Sequence, residues 1–90
     1  ALQAIVIDRS FVDASGTRWI IDYKTSIHRG GDRGAFIAEE CDRYRGQLER
    51  YASVVRRLED RPIRLGLYFP FLGVWREWAP GDRPAPAALD

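Results

Sequence analysis

The amino-acid sequence predicts a small α+β protein whose elements follow the order β-β-α-β-β. A hairpin pattern fills the first 25 residues, one long amphipathic helix comes next, and two short strands follow the helix. With 90 residues the chain is one small domain or a piece of one, and we expect a thin core. The composition, 46% hydrophobic and 30% charged, is ordinary for a soluble globular protein.

Two strands joined by a three-residue loop are predicted at the start of the chain. Residues 2–13 and 17–25 are rich in Ile, Val, Phe, Trp and Tyr, as strands are. The loop 14–16 ends in glycine, which suits a type I turn followed by a residue in the left-handed region. In the register that this loop sets, Asp8 lies opposite Asp22.

Both faces of this hairpin are apolar, so we expect it to lie in the interior of the sheet. One face carries Val6, Val12 and Ile20, and the other carries Ile5, Ile7, Phe11, Trp19, Ile21 and Tyr23. Only one long helix is available to cover these two faces. We therefore expect the chain to dimerise, to exchange elements with a second copy, or to require the rest of a parent protein. The chain contains no Met, and we expect it to be an excised fragment.

A long helix is predicted over residues 35–59, after a glycine-rich loop over residues 26–34. Its apolar positions, spaced by three and four, are Ile37, Cys41, Tyr44, Leu48, Tyr51, Val55 and Leu58. The opposite face carries Glu39, Asp42, Arg43, Arg45, Arg50, Arg56 and Arg57, which suits a solvated face better than a DNA-binding one. Cys41 is the only cysteine, which excludes a disulfide within the chain and a site built from several cysteines.

The closing part of the chain predicts two strands and a tail. Asp60-Arg61-Pro62 ends the helix, residues 63–71 form the third strand, and residues 74–78 form a shorter fourth strand. The domain is therefore assigned to residues 1–78. The segment 79–90 contains three prolines and is expected to be disordered or a linker. No apolar run approaches the ~20 residues that a membrane span needs, and we expect no membrane partner.

Three charged side chains are expected to converge on one face of the hairpin. Opposed residues of this kind place their Cβ atoms roughly 4.5–5.5 Å apart, and Lys24 lies two residues beyond Asp22 on the same face. Because two carboxylates repel each other, a proton, the Lys24 ammonium or a hard divalent cation must offset the charge. A buried ion pair between Lys24 and Asp8 or Asp22 is the alternative to a metal site.

Lys24 is the only lysine among the fourteen basic residues. Unlike arginine, lysine has a pKa that its surroundings can tune, so its amino group can orient a water, can help to deprotonate it when neutral, or can stabilise a phosphate when charged. The net charge of +1 is too small to indicate nucleic-acid binding by itself.

The segment Ile5–Ser26 resembles the PD-(D/E)XK nuclease superfamily, more narrowly the RecB-like nuclease domain at the C-terminus of UvrD-type helicase–nucleases (the AddA or exonuclease V group). Three motifs carry the resemblance: Ile7-Asp8-Arg9, Asp22-Tyr23-Lys24-Thr25, and Gln47 with Tyr51 on the helix. It spans most of residues 4–78. Ile5 departs from the pattern, since the family has glycine there, and the family's upstream helix is not part of this chain.

The resemblance implies a restriction-endonuclease-like mixed sheet and hydrolysis of DNA phosphodiesters with Mg²⁺ or Mn²⁺. It implies that Asp8, Asp22 and the backbone carbonyl of Tyr23 bind the metal, and that Asp8, Asp22 and Lys24 are catalytic. It further implies active-site support or DNA contact by Gln47, Tyr51, Arg9 and Thr25. The implied partners are DNA and the rest of a bacterial cytoplasmic helicase–nuclease that processes DNA ends in recombinational repair.

Other interpretations of the same residues stay open. The chain can be a catalytically inactive nuclease-like module that binds DNA or a partner, or a stand-alone resolvase or restriction-type nuclease. Tyr51 can be plain core packing, and Gln47 a polar position at the edge of the core. His28 is interpreted as an exposed loop residue, with a DNA-backbone contact as the alternative.

Overall fold

The computed structural model describes residues 8–28 and 30–82, which form four strands and one helix. The elements are β1 (Arg9–Val12), β2 (Arg18–Tyr23), α1 (Arg33–Leu58), β3 (Ile63–Phe69) and β4 (Val74–Trp78). This order confirms the predicted α+β class. Residues 2–7 of the predicted first strand and residues 83–90 of the predicted tail lie outside the described residues.

The strands form one mixed sheet in the order β1-β2-β3-β4. β1 and β2 pair antiparallel, β2 and β3 pair parallel, and β3 and β4 pair antiparallel. Parallel neighbours need a long crossover connection, and α1 provides it.

The turn between β1 and β2 is held by the Asp13 side chain. Its carboxylate accepts hydrogen bonds from the backbone N–H groups of Ser15, at 2.9 Å, and Thr17, at 3.1 Å. Gly16 has φ of 90°, as the predicted turn requires. The pairing of Arg9 with Ile21 confirms the predicted register.

The core lies between α1 and one face of the sheet. The sheet contributes Ile20, Leu65, Leu67, Phe69 and Trp78, and the helix contributes Ile37, Cys41, Leu48, Tyr51 and Ala52. The predicted apolar stripe is thus confirmed over most of its length. Leu58 is the exception, at 79% exposed. It is the last residue of the helix, next to Glu59, which pairs with Arg18 at the start of β2.

The opposite face of the sheet, called here the open face, has no described helix packed on it. It carries Phe11, Trp19, Ile21, Tyr23, Tyr68 and Trp75, as the strand pairing requires. Tyr23, Tyr68 and Trp75 are 44%, 39% and 37% exposed. The expectation that the hairpin is interior is therefore wrong for the described residues: β1 is an edge strand, and α1 covers only one side. Dimerisation stays a prediction.

Residues 79–82 follow β4 and return to the helix. The Gly81 N–H donates to Glu49 Oε1 at 2.9 Å, and the Arg45 side chain donates to the Asp82 carbonyl at 3.1 Å. The folded part of the chain therefore continues at least to Asp82. Within residues 8–28 and 30–82, no helix is long and apolar enough to cross a membrane.

Candidate active site

Asp8 and Asp22 meet at the end of the hairpin, at the positions that the register predicts. Asp8 immediately precedes β1, and its Oδ2 accepts a hydrogen bond from the Tyr23 N–H at 3.0 Å. The neighbouring Asp22 carboxyl and this N–H hold the pKa of Asp8 below its ordinary value. Asp8 is exposed, so its carboxylate is solvated while it faces its partner.

Asp22 is the buried member of the pair, at 9% exposed. Burial raises the pKa of its carboxyl, the Asp8 carboxylate raises it further, and Lys24 opposes both effects. The two carboxyl groups therefore titrate as a pair, in which the solvated Asp8 is the easier one to ionise.

Lys24 reaches back to Asp22 on the same face of β2. Its Nζ lies 2.7 Å from Asp22 Oδ2. The same ammonium lies 3.6 Å from the ring centroid of Tyr44 on α1, a cation–π contact. The helical period predicts Tyr44 only as part of the apolar stripe, and no local pattern indicates that its ring lies against the lysine.

The donor set at this site fits a divalent cation. Asp22 Oδ2 is buried, and no described group approaches it with hydrogen-bond geometry, so its contact with Lys24 is an ion pair without a directed hydrogen bond. A buried carboxylate oxygen held only by an ion pair can also act as a ligand for a hard cation. Among residues 8–28 and 30–82, no group of three or more His, Cys, Asp or Glu side chains could hold a metal. Two carboxylates are nevertheless enough for Mg²⁺, which completes its shell with water and phosphate.

The Tyr23 backbone faces Asp8, and metal binding by its carbonyl stays a prediction. The N–H and carbonyl of one strand residue point to the same side, and the Tyr23 N–H points to Asp8. The carbonyl is therefore directed to the side on which Asp8 lies. The Tyr23 ring is on the open face, edge-on to Tyr68 with centroids 6.0 Å apart.

Gln47 and Tyr51 lie one helical turn apart and bond to each other. Gln47 Nε2 donates to the Tyr51 hydroxyl at 2.6 Å, and Tyr51 is 7% exposed. Within the described residues their hydrogen bond joins the two side chains to each other and not to an acid of the pair. Both remain candidates for a supporting role.

Arg9 and Thr25 are not brought to the carboxylates. Arg9 belongs to the open face, where its guanidinium lies 5.3 Å from the ring centroid of Phe11. Thr25 is exposed, just past the end of β2. Contact of either side chain with DNA stays a prediction.

A buried carboxylate on α1 was missed in the sequence. Glu40 is 6% exposed, and its Oε1 accepts a hydrogen bond from Ser26 Oγ at 2.8 Å. Its spacing offered a signal, since Glu40 lies three residues after Ile37 and four before Tyr44, inside the apolar stripe.

His28 and a nearby cavity lie apart from the acidic pair. The His28 ring packs on Phe36 with centroids 4.8 Å apart, and His28 is partly buried, less exposed than expected. The cavity, of about 480 Å³, is lined by Arg33, Gly34, Ile37, Gly73, Val74, Trp75 and Arg76. It therefore includes none of Asp8, Asp22 and Lys24.

Comparisons of this chain with protein-family models, with curated proteins and with solved structures found no match.

Proposed function

We propose that this chain is the catalytic part of a metal-dependent DNA nuclease that hydrolyses phosphodiesters, within a helicase–nuclease that processes DNA ends in recombinational repair. The observation that carries the proposal is the meeting of Asp8, Asp22 and Lys24 on one face of a hairpin. The buried Asp22 Oδ2, whose described contact is the ion pair with Lys24, is an oxygen that a cation could share at this point.

Asp8, Asp22 and the Tyr23 carbonyl are the groups that would hold Mg²⁺ or Mn²⁺. A bound cation would offset charge on the scissile phosphate and lower the pKa of a bound water. The protein contributes a fixed pair of acids, one solvated and one buried, so a phosphate would approach the ion from the side of Asp8.

In this proposal Lys24 orients the attacking water or stabilises charge on the phosphate. Asp22 and the Tyr44 ring fix its ammonium from two sides, which limits the entropy lost when it contacts a phosphate oxygen or a water. An ammonium held in this way donates hydrogen bonds to the negative charge that develops on a phosphate.

Two substitutions separate metal binding from catalysis. We expect Asp22→Ala to abolish calorimetric binding of Mn²⁺ and Mg²⁺, because it removes the buried ligand. Lys24→Ala should keep metal binding but lose cleavage of linear DNA by about 100-fold or more. The matched control is Asp42→Ala, which removes an exposed carboxylate on α1 and should change neither property.

Failure of the wild-type chain to bind either metal, alone and with the rest of its parent restored, would contradict the proposal. The alternative is a non-catalytic nuclease-like module. The direct ion pair between Lys24 and Asp22 favours it, because the lysine already neutralises this carboxylate without a metal. It predicts DNA binding without cleavage and no effect of metal on stability.

A further inference from the structure

Glu40 occupies a position that its own contacts do not explain. Its carboxylate is 6% exposed on a helix face that otherwise packs apolar side chains. Burying a carboxylate is unfavourable unless hydrogen bonds replace its water. Oε1 has one such bond, from Ser26, whereas Oε2 has none within the described residues. The Arg43 guanidinium is 3.6 Å from Oε2, but the Arg43 side chain is 65% exposed, so solvent weakens this ion pair.

The partner of Glu40 belongs to the segment that leaves the candidate active site. Ser26 lies two residues after Lys24, in a stretch without regular secondary structure. The Lys24 N–H donates to the Tyr68 carbonyl at 2.8 Å, which fixes the start of this segment against β3. The bond from Ser26 to Glu40 fixes its other end against α1.

The same stripe of α1 also supports the lysine ammonium. Tyr44 follows Glu40 by one helical turn, so both side chains point from the helix toward the end of β2. Glu40 therefore holds the backbone beyond Lys24, and Tyr44 lies 3.6 Å from the ammonium itself.

We infer that Glu40 is a positioning residue for Lys24: through its hydrogen bond to Ser26 it keeps the lysine ammonium between Asp22 and the Tyr44 ring. The catalytic meaning of this inference rests on the proposed function, whereas the positioning itself does not. The hydrogen bond, and not the negative charge of Glu40, is the required feature.

Lys24 is the only lysine of the chain, so selective ¹³C labelling of lysine gives one set of side-chain signals. The Tyr44 ring current should shift the Lys24 Hε protons upfield. We expect Glu40→Ala and Ser26→Ala each to remove at least about half of that shift. Glu40→Gln should retain it, because the amide oxygen still accepts the serine hydroxyl. Glu39→Ala, which removes an exposed acid one position away, is the control and should leave the shift unchanged.

An activity measurement adds a second, separate readout. Glu40→Ala and Ser26→Ala should lower kcat by about 10- to 100-fold without weakening metal binding, as misplacement of a catalytic group does. In a Lys24→Ala background, Glu40→Ala should give no further loss, since it acts through the lysine.

Unchanged Lys24 shifts in folded Glu40→Ala and Ser26→Ala proteins would overturn the inference. So would a Glu40→Gln protein that behaves like Glu40→Ala, because the charge would then be the feature that matters. A wild-type chain that shows the predicted shifts but never cleaves DNA would refute the proposed function and leave the positioning by Glu40 standing.

Discussion

Replacement of Asp8 by Asn should stabilise the metal-free protein, although Asp8 belongs to the candidate site. The change removes one of two facing carboxylates, and the Asn oxygen can still accept the 3.0 Å hydrogen bond from the Tyr23 N–H. Asp8 is exposed, so a water-like dielectric applies. Two unit charges about 5 Å apart then repel by about 0.8 kcal/mol, within the range for like charges opposed across strands. The attraction between Asp8 and Lys24, which is lost in the same variant, opposes part of this gain. In a domain of this size the rise in Tm should therefore be at most about 3–6 °C.

The measurement is thermal unfolding followed by circular dichroism at pH 8. This pH is chosen because it lies well above the ordinary pKa of a carboxyl group. The measurement is made without metal and then at increasing Mg²⁺. With metal, the wild type should become more stable than the variant. At a free Mg²⁺ concentration of 100 times the dissociation constant, the ion should add about 2.7 kcal/mol to the free energy of unfolding of the wild type and little to that of Asp8→Asn. Asp42→Asn, an exposed change on α1, should follow the wild type in both conditions. A variant less stable than the wild type without metal, or stabilised equally by metal, would refute the reasoning.

Two further predictions concern the scaffold. A Cβ added at Gly66 would lie 2.1 Å from Cη2 of Trp75, so Gly66→Ala should destabilise the protein by about 1–3 kcal/mol in urea unfolding. Gly46→Ala, on the exposed side of α1, should instead stabilise it by about 0.5–1 kcal/mol. If both substitutions changed the free energy of unfolding in the same direction, the close packing of Trp75 on Gly66 would be contradicted. Hydrogen bonds from Ser15, Trp19 and Thr17 lower the pKa of Asp13 from 3.8 to about 2. Because this pKa is depressed by folding, the stability it provides is complete above pH 3.8 and is lost as pH falls toward 2. The urea midpoint should therefore fall more steeply between pH 4 and 2 for the wild type than for Asp13→Ala.

The hairpin and its register could be predicted because they depend on local chemistry. Gly16 and the residues around it define the turn, and the turn alone fixes that Asp8 faces Asp22. The 3.6-residue period of the helix is equally local, and it identified the face of α1 that packs on the sheet.

The parts that could not be predicted depend on distant contacts. Periodicity identifies apolar faces but not what covers them. The apolar residues on both faces therefore predict an interior hairpin, whereas β1 is an edge strand of the described sheet. The contacts of Tyr44 with Lys24 and of Glu40 with Ser26 depend on how α1 crosses the sheet, which no local pattern specifies. A charged residue inside an apolar stripe is the kind of exception that sequence analysis should examine first.

The parallel pairing of β2 with β3 also determines the order in which the site can assemble during folding. Arg18 pairs with Ile63, so this contact cannot form until the whole intervening segment, α1 included, has folded back on the sheet. Closing so long a loop slows folding more than formation of the β1–β2 turn does. The two acids can therefore approach each other early, in water, where their repulsion is weak. We therefore expect burial of Asp22 and the contact of Lys24 with Tyr44 to follow this long-range pairing, so that the candidate site forms late in folding.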